Sequence, residues 1–164
     1  MKAIFYSLIL FGCLGCRAEK EWTLTSPDGA VRFVATQVPE GEETTILQYS
    51  VYCGDSLVIN PSRLGLVMDG IEYGKDARPA GKAVVKTMNE PYELKAGKQL
   101  RTVNACREMT IPFEGFQLIV RAYDDGIAFR YAFTQEDDGK QHTITDELTE
   151  FSVPANGKAW IHPY

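Results

Sequence analysis

Leu118-Ile-Val-Arg-Ala-Tyr-Asp-Asp-Gly-Ile-Ala-Phe-Arg-Tyr-Ala-Phe133 is the stretch whose reading decides the fold class. Asp125-Gly126 is a strong two-residue hairpin signal, because both central positions of a type I′ turn require positive φ. Runs of aliphatic and aromatic residues flank it, as two paired strands require. With the turn centred on Asp125-Gly126, Ala122 faces Phe129, Val120 faces Tyr131 and Leu118 faces Phe133, giving one apolar face. The same register sets Arg121 directly opposite Arg130. Like charges across a ladder repel, so this pair calls for carboxylate partners, with Glu108, Glu147 and Glu150 as candidates, or for an anionic ligand.

Outward from the hairpin the chain reads as β almost throughout. Strands are expected at Glu21–Thr25, Val31–Gln37, Ile46–Cys53, Leu57–Ile59, Leu64–Met68, Ala83–Leu94 and Leu100–Phe113, and after the hairpin at Thr143–Thr145 and Leu148–Val153. Turn chemistry separates them at Ser26-Pro27-Asp28-Gly29, Pro39-Glu40-Gly41, Cys53-Gly54-Asp55-Ser56 and Asp69-Gly70. Pro61-Ser62-Arg63 reads as a turn into a strand, and Gly65 as a bulge or a close backbone approach. Gly70 to Gly81 reads as an irregular connection. No long segment sustains helical periodicity. About ten antiparallel strands imply an all-β sandwich or a curved double sheet.

Arg121-Ala-Tyr-Asp-Asp-Gly-Ile-Ala-Phe-Arg-Tyr131 resembles the R-x-Y-D-D-G-x-A-F-R-Y segment in the amino-terminal domain of glycoside hydrolase family 97. Three further segments agree in order. Trp22-Thr-Leu-Thr-Ser-Pro-Asp-Gly29 is similar to that domain's opening strand and turn, and Asn60-Pro-Ser-Arg-Leu-Gly-Leu66 to its x-P-S-x-L-G-L segment. Asp146-Glu-Leu-Thr-Glu-Phe151, followed by Trp160, resembles the stretch after the hairpin. The resemblance implies a β-super-sandwich similar to galactose mutarotase, which in the family leads into a (β/α)8 barrel. The resemblance implies that the barrel carries the catalytic carboxylates and that calcium is held largely by glutamates close to them, one of which comes from the amino-terminal domain further along than this chain extends, so no catalytic residue and no metal ligand is carried over. Residues 19–164 are then expected to be an incomplete amino-terminal sandwich domain. Composition alone also allows a complete small sandwich.

Residues 1–18 read as an export signal. Lys2 supplies the positive start, and Ile4–Phe11 is an apolar run too short to span a bilayer. Leu14-Gly15-Cys16 resembles a lipobox ending in a lipidated Cys16; Cys13 after Leu10-Phe11-Gly12 is a second candidate, and ordinary cleavage after Ala18 a third reading. The expected location is the periplasm or the outer membrane of a Gram-negative bacterium. The net charge of −5 is mild and no basic cluster suggests nucleic acid. Cys53 and Cys106 are a candidate disulfide in that oxidising setting; the alternative is two separate apolar core residues.

Glycosidases ordinarily set two carboxylates across the scissile bond. The acidic pairs here are Asp124-Asp125, Asp137-Asp138 and Asp146-Glu147. The first two sit beside glycine in turns, where aspartate is expected for backbone reasons, and the third reads as a solvated face. His142 and His162 lie in no nucleophile or metal motif. Sugar faces are recognised by aromatic rings together with polar groups, and Trp160, His162 and Tyr164 form such a candidate cluster; packing of Trp160 in the core is the simpler reading. Three functions remain: a non-catalytic domain that helps wall the active site of a barrel absent from this chain, a free-standing carbohydrate-binding lipoprotein, or a structural remnant.

Overall fold

The computed structural model describes residues 20–95, 100–133, 139–158 and Trp160. The export signal with Cys13 and Cys16, the Asp137-Asp138 pair, His162 and Tyr164 lie outside the described residues. Eleven strands are present among those described: β1 Lys20–Thr25, β2 Val31–Glu40, β3 Thr44–Cys53, β4 Ser56–Leu64, β5 Leu66–Met68, β6 Ile71–Tyr73, β7 Val84–Glu93, β8 Arg101–Phe113, β9 Phe116–Tyr123, β10 Gly126–Phe133 and β11 Ile144–Glu147. They form two four-stranded antiparallel sheets, ordered β1-β2-β3-β4 and β10-β9-β8-β7, and a small sheet ordered β11-β5-β6. The expected antiparallel sandwich is what the chain adopts.

Alternation explains the layers. Along β9 buried and half-buried residues alternate without a break, as a strand with one face in a core requires. Its inward row, Phe116, Leu118, Val120 and Ala122, is at most 2% exposed. These side chains meet Leu24, Phe33, Ala35, Leu47, Tyr49 and Leu64 of the first sheet and Met109, Ile111 and Phe113 of β8 in one core. Phe33 stacks on Tyr49 at 5.6 Å, and Phe113 on Phe116 at 4.9 Å.

The hairpin differs from expectation in register. Tyr123 pairs with Gly126, Arg121 with Ala128, Val120 with Phe129 and Leu118 with Tyr131. The tip is therefore Asp124-Asp125, and Arg121 stands diagonal to Arg130 rather than opposite it. The shift is two places, so the apolar face survives, because side-chain direction repeats every second residue. None of Asp124, Asp125 and Gly126 has a positive φ, so the turn is not type I′. A tertiary contact accompanies the earlier tip: Asp124 Oδ1 accepts the backbone N–H of Asp28 from the turn of the first sheet at 3.0 Å. The type I′ signature instead appears at Asp69-Gly70, with φ of 52° and 78°, joining β5 to β6.

Two other segments depart from expectation. Pro61-Ser62-Arg63 lies inside β4 and is not a turn. Proline is tolerated because β4 is the last strand of its sheet. Ser62 is fully buried; its Oγ donates to Asn60 O at 2.7 Å and accepts from Ser152 N at 2.9 Å. Gly65 splits the expected Leu64–Met68 strand into β4 and β5. A Cβ there would stand 2.8 Å from Tyr73 O, the close backbone approach that only glycine allows. The supposed irregular connection after Gly70 contains β6. Residues 148–152 form no strand, yet Leu148 N, Glu150 N and Ser152 O bond to Gly65 O, Arg63 O and Asn60 N, strapping the free edge of β4.

Candidate functional site

The outward face of the second sheet carries the charge chemistry. Register places Lys86, Glu108, Arg121 and Ala128 in one row across β7, β8, β9 and β10. Glu108, its side chain only 6% exposed, takes the Lys86 Nζ at 2.9 Å and the Arg121 Nε at 2.6 Å. Burial pushes the Glu108 carboxyl up, but the hydrogen bonds from Lys86 and Arg121 outweigh it and hold the carboxyl below its ordinary value. The same bond to Glu108 raises the Arg121 pKa further. Of the expected carboxylate partners, Glu108 is the one that Arg121 uses; Glu150 Oε2 instead accepts the Arg63 N–H at 3.2 Å, and Glu147 Oε1 accepts the Thr149 N–H at 3.1 Å. Arg130 forms no ion pair among the described residues. It lines, with Ile119, Arg121, Tyr123, Ala128 and Phe129, an open cavity of about 350 Å³. Lys86 went unnoticed in the sequence because only the β7–β8 register brings it to Glu108.

A second cluster joins the two sheets to residues 149–151. Tyr49 meets Phe129 edge-on at 5.2 Å, and Phe129 stacks with Phe151 of the strap at 6.2 Å. Tyr49 Oη donates to Glu150 O at 2.8 Å, and Tyr131 Oη lies 2.7 Å from Thr149 Oγ1. Burial pushes both phenols up to about 12, so they act as neutral hydrogen-bonding groups. Phe151 is nevertheless 67% exposed.

Asp28, Asp124 and Asp146 each accept a backbone N–H. Asp28 Oδ1 accepts from Ser26 Oγ at 2.6 Å and Ala30 N at 2.9 Å, and these bonds hold its carboxyl below the usual range. Asp146 Oδ1 accepts the Glu147 N–H at 2.9 Å. Asp28 and Glu108 are both held below their ordinary values, the opposite of what a general acid requires. Among the described residues no group of three or more His, Cys, Asp or Glu side chains could hold a metal ion.

The remaining candidates are dispersed. Trp160 is not in the core; it is 89% exposed. His142 Nδ1 lies 2.6 Å from Asp69 Oδ2 at the β5–β6 turn. The candidate disulfide is not formed: Cys53 ends β3 in one sheet, exposed, and Cys106 is buried in β8 of the other, both as free thiols.

A family model described as glycosyl-hydrolase 97 N-terminal matches residues 24–164. A retaining alpha-galactosidase of Bacteroides thetaiotaomicron is 28% identical over 170 residues, covering all of this chain and 24% of that protein. A probable retaining alpha-galactosidase of Streptomyces bingchenggensis is 26% identical, over 89% of this chain and 23% of its own length. Among solved structures, a glycoside hydrolase family 97 enzyme from Pseudoalteromonas sp. strain K8, in complex with acarbose, superposes with a TM-score of 0.68 at 25% identity. The match covers 82% of this chain and 20% of that one. A beta-arabinopyranosidase shares the fold, with a TM-score of 0.67 at 22% identity. The chain thus spans about a quarter of the length of the curated relatives it matches.

Proposed function

Since this chain belongs to the glycosyl-hydrolase 97 amino-terminal domain family, we propose that it serves as the non-catalytic β-sandwich part of an α-glycosidase. It packs on a barrel domain and helps wall the active-site cleft, while chemistry and calcium reside in that barrel. The observation that carries this reading is the family match over residues 24–164, made with larger relatives of which the chain spans about a quarter. The relatives' names favour α-galactosides as the substrate class. The test is a replacement: residues 20–164 exchanged for the matched quarter of the Bacteroides α-galactosidase. Retained hydrolysis of nitrophenyl α-galactoside supports the role; a folded chimera without activity speaks against it.

Export with lipidation at Cys16 or Cys13 belongs to the same proposal. Palmitate labelling lost in Cys16→Ala or Cys13→Ala identifies the anchor, and its absence in the unaltered chain removes it. One observation favours a second reading, carbohydrate binding by the chain itself: Trp160 is exposed and free to stack on a sugar. Maltooligosaccharide titration read by tryptophan fluorescence decides it. A saturable change abolished by Trp160→Ala supports binding, and a flat trace excludes it.

A further inference from the structure

The core is closed along β9 and open along β10. The inward row of β9 is at most 2% exposed, whereas the inward residues of β10, Ile127, Phe129, Tyr131 and Phe133, are all half-buried and lie at the margin of the core. β10 is also the last strand of its sheet. Tyr123 and Gly126 close the two-residue turn as a hydrogen-bonded pair. By alternation the N–H groups of Ala128, Arg130 and Ala132 then face β9, and those of Ile127, Phe129, Tyr131 and Phe133 face outward. Among the described residues these outward groups have no backbone partner.

The other edges are protected and this one is not. β7 carries Lys86, Glu90, Pro91 and Glu93, and β1 opens with Lys20 and Glu21. β4 contains Pro61 and is strapped by residues 148–152. β6 and β11 are only 3 and 4 residues long. β10 runs 8 residues with no proline, no lysine and one charge, Arg130. Natural edges that must stay free are blunted by charge, proline, shortness or cover; among the described residues β10 carries only the single charge of Arg130 and none of the other devices.

We propose that the free edge of β10 accepts a further β-strand from the part of the glycosidase outside the matched region. This rests on the family role proposed above, and the relatives supply the length: their matched part is only 20–24% of each chain. The incoming strand presents apolar side chains inward, extending the row of Ile127, Phe129, Tyr131 and Phe133. Outward it places a carboxylate beside Arg130. Backbone bonds give the affinity and the alternating pockets the register, as in strand addition generally.

The same chimera carries the test, with amide hydrogen exchange over Gly126–Phe133 as the readout. Relative to the isolated chain, the amides of Ile127, Phe129, Tyr131 and Phe133 slow at least about tenfold in the chimera, and Arg130→Glu reverses part of that protection. Equally fast exchange in a folded chimera overturns the inference. Activity reads the family role separately: an active chimera with fast β10 amides rejects strand acceptance alone, and an inactive one with slow β10 amides rejects the role alone. Should the chimera not fold, short overlapping peptides from the unmatched part of the Bacteroides enzyme are titrated against the labelled chain. Shifts at the same four amides, lost in Ala128→Lys/Ala132→Lys, support the proposal; no shift there overturns it. A discrete dimer of the isolated chain that protects these amides makes a second copy the occupant and also overturns it.

Discussion

Replacing Glu108 with glutamine removes a charge while keeping the side chain's shape. Glu108 is buried, but its partners are less so: the Arg121 side chain is 35% exposed and that of Lys86 61%. Breaking a fully buried ion pair costs about 3–5 kcal/mol. Both cations here can rehydrate, so the loss lies below that range. A hydrogen bond to a charged group contributes about 1.5–3 kcal/mol and a neutral one about 1, and the exposed Lys86 adds at most about 1. Glu108→Gln should therefore cost about 2 kcal/mol, or a fall in Tm of about 4–8 °C for a domain of this size. The loss depends on pH in a defined direction. The folded carboxyl titrates below its ordinary value of 4.5, so its contribution is complete above that value and disappears as pH falls through the lower folded value. Urea melts of both proteins at pH 7 and pH 3 should show a gap at neutrality that narrows in acid. A gap independent of pH, or none at pH 7, refutes the assignment of Glu108 as the charged centre of the row.

Two further outcomes follow from backbone and burial. Gly74 has φ +101° and a Cβ there would stand 2.3 Å from Leu64 O, whereas Gly29 has φ +79° with open space around it. Gly29→Ala should cost about 1–2 kcal/mol in conformational strain alone; Gly74→Ala should cost distinctly more in the same chemical melt, and equal losses would refute the close packing of β4 against the β6 turn. Ellman titration of residues 20–164 should count one reactive thiol in the native chain, Cys53, and two in denaturant, because Cys106 is buried. Two rapid thiols, or none, in the native protein contradict the free and segregated cysteines.

Much of this architecture is legible from alternation. Leu118, Val120 and Ala122 declare their inward row before any pairing is known, and the row survives a register shift of two. What alternation cannot fix is the register itself. Asp125-Gly126 and Asp69-Gly70 carry the same dipeptide, yet only the second forms the type I′ turn; at the first, the tip one residue earlier meets Asp28 from a turn 96 positions away. The ion row was half visible for the same reason. Arg121 and Glu108 are recognisable as partners from charge, but Lys86 joins them only through the β7–β8 ladder. The strap is legible only in retrospect, because residues 148–152 bond to β4 through isolated backbone groups rather than as a patterned strand. The exposure of Trp160 is likewise a matter of chain path, on which its side-chain chemistry is silent.

In the proposed role hydrolysis is carried out by a barrel domain and not by residues 20–164. Nitrophenyl α-galactoside and α-glucoside, with calcium, are the direct measurement on purified residues 20–164. Release of nitrophenol at the rate of the buffer blank is the predicted result. Turnover above that blank, proportional to the amount of chain and carried through repeated purification, would contradict it.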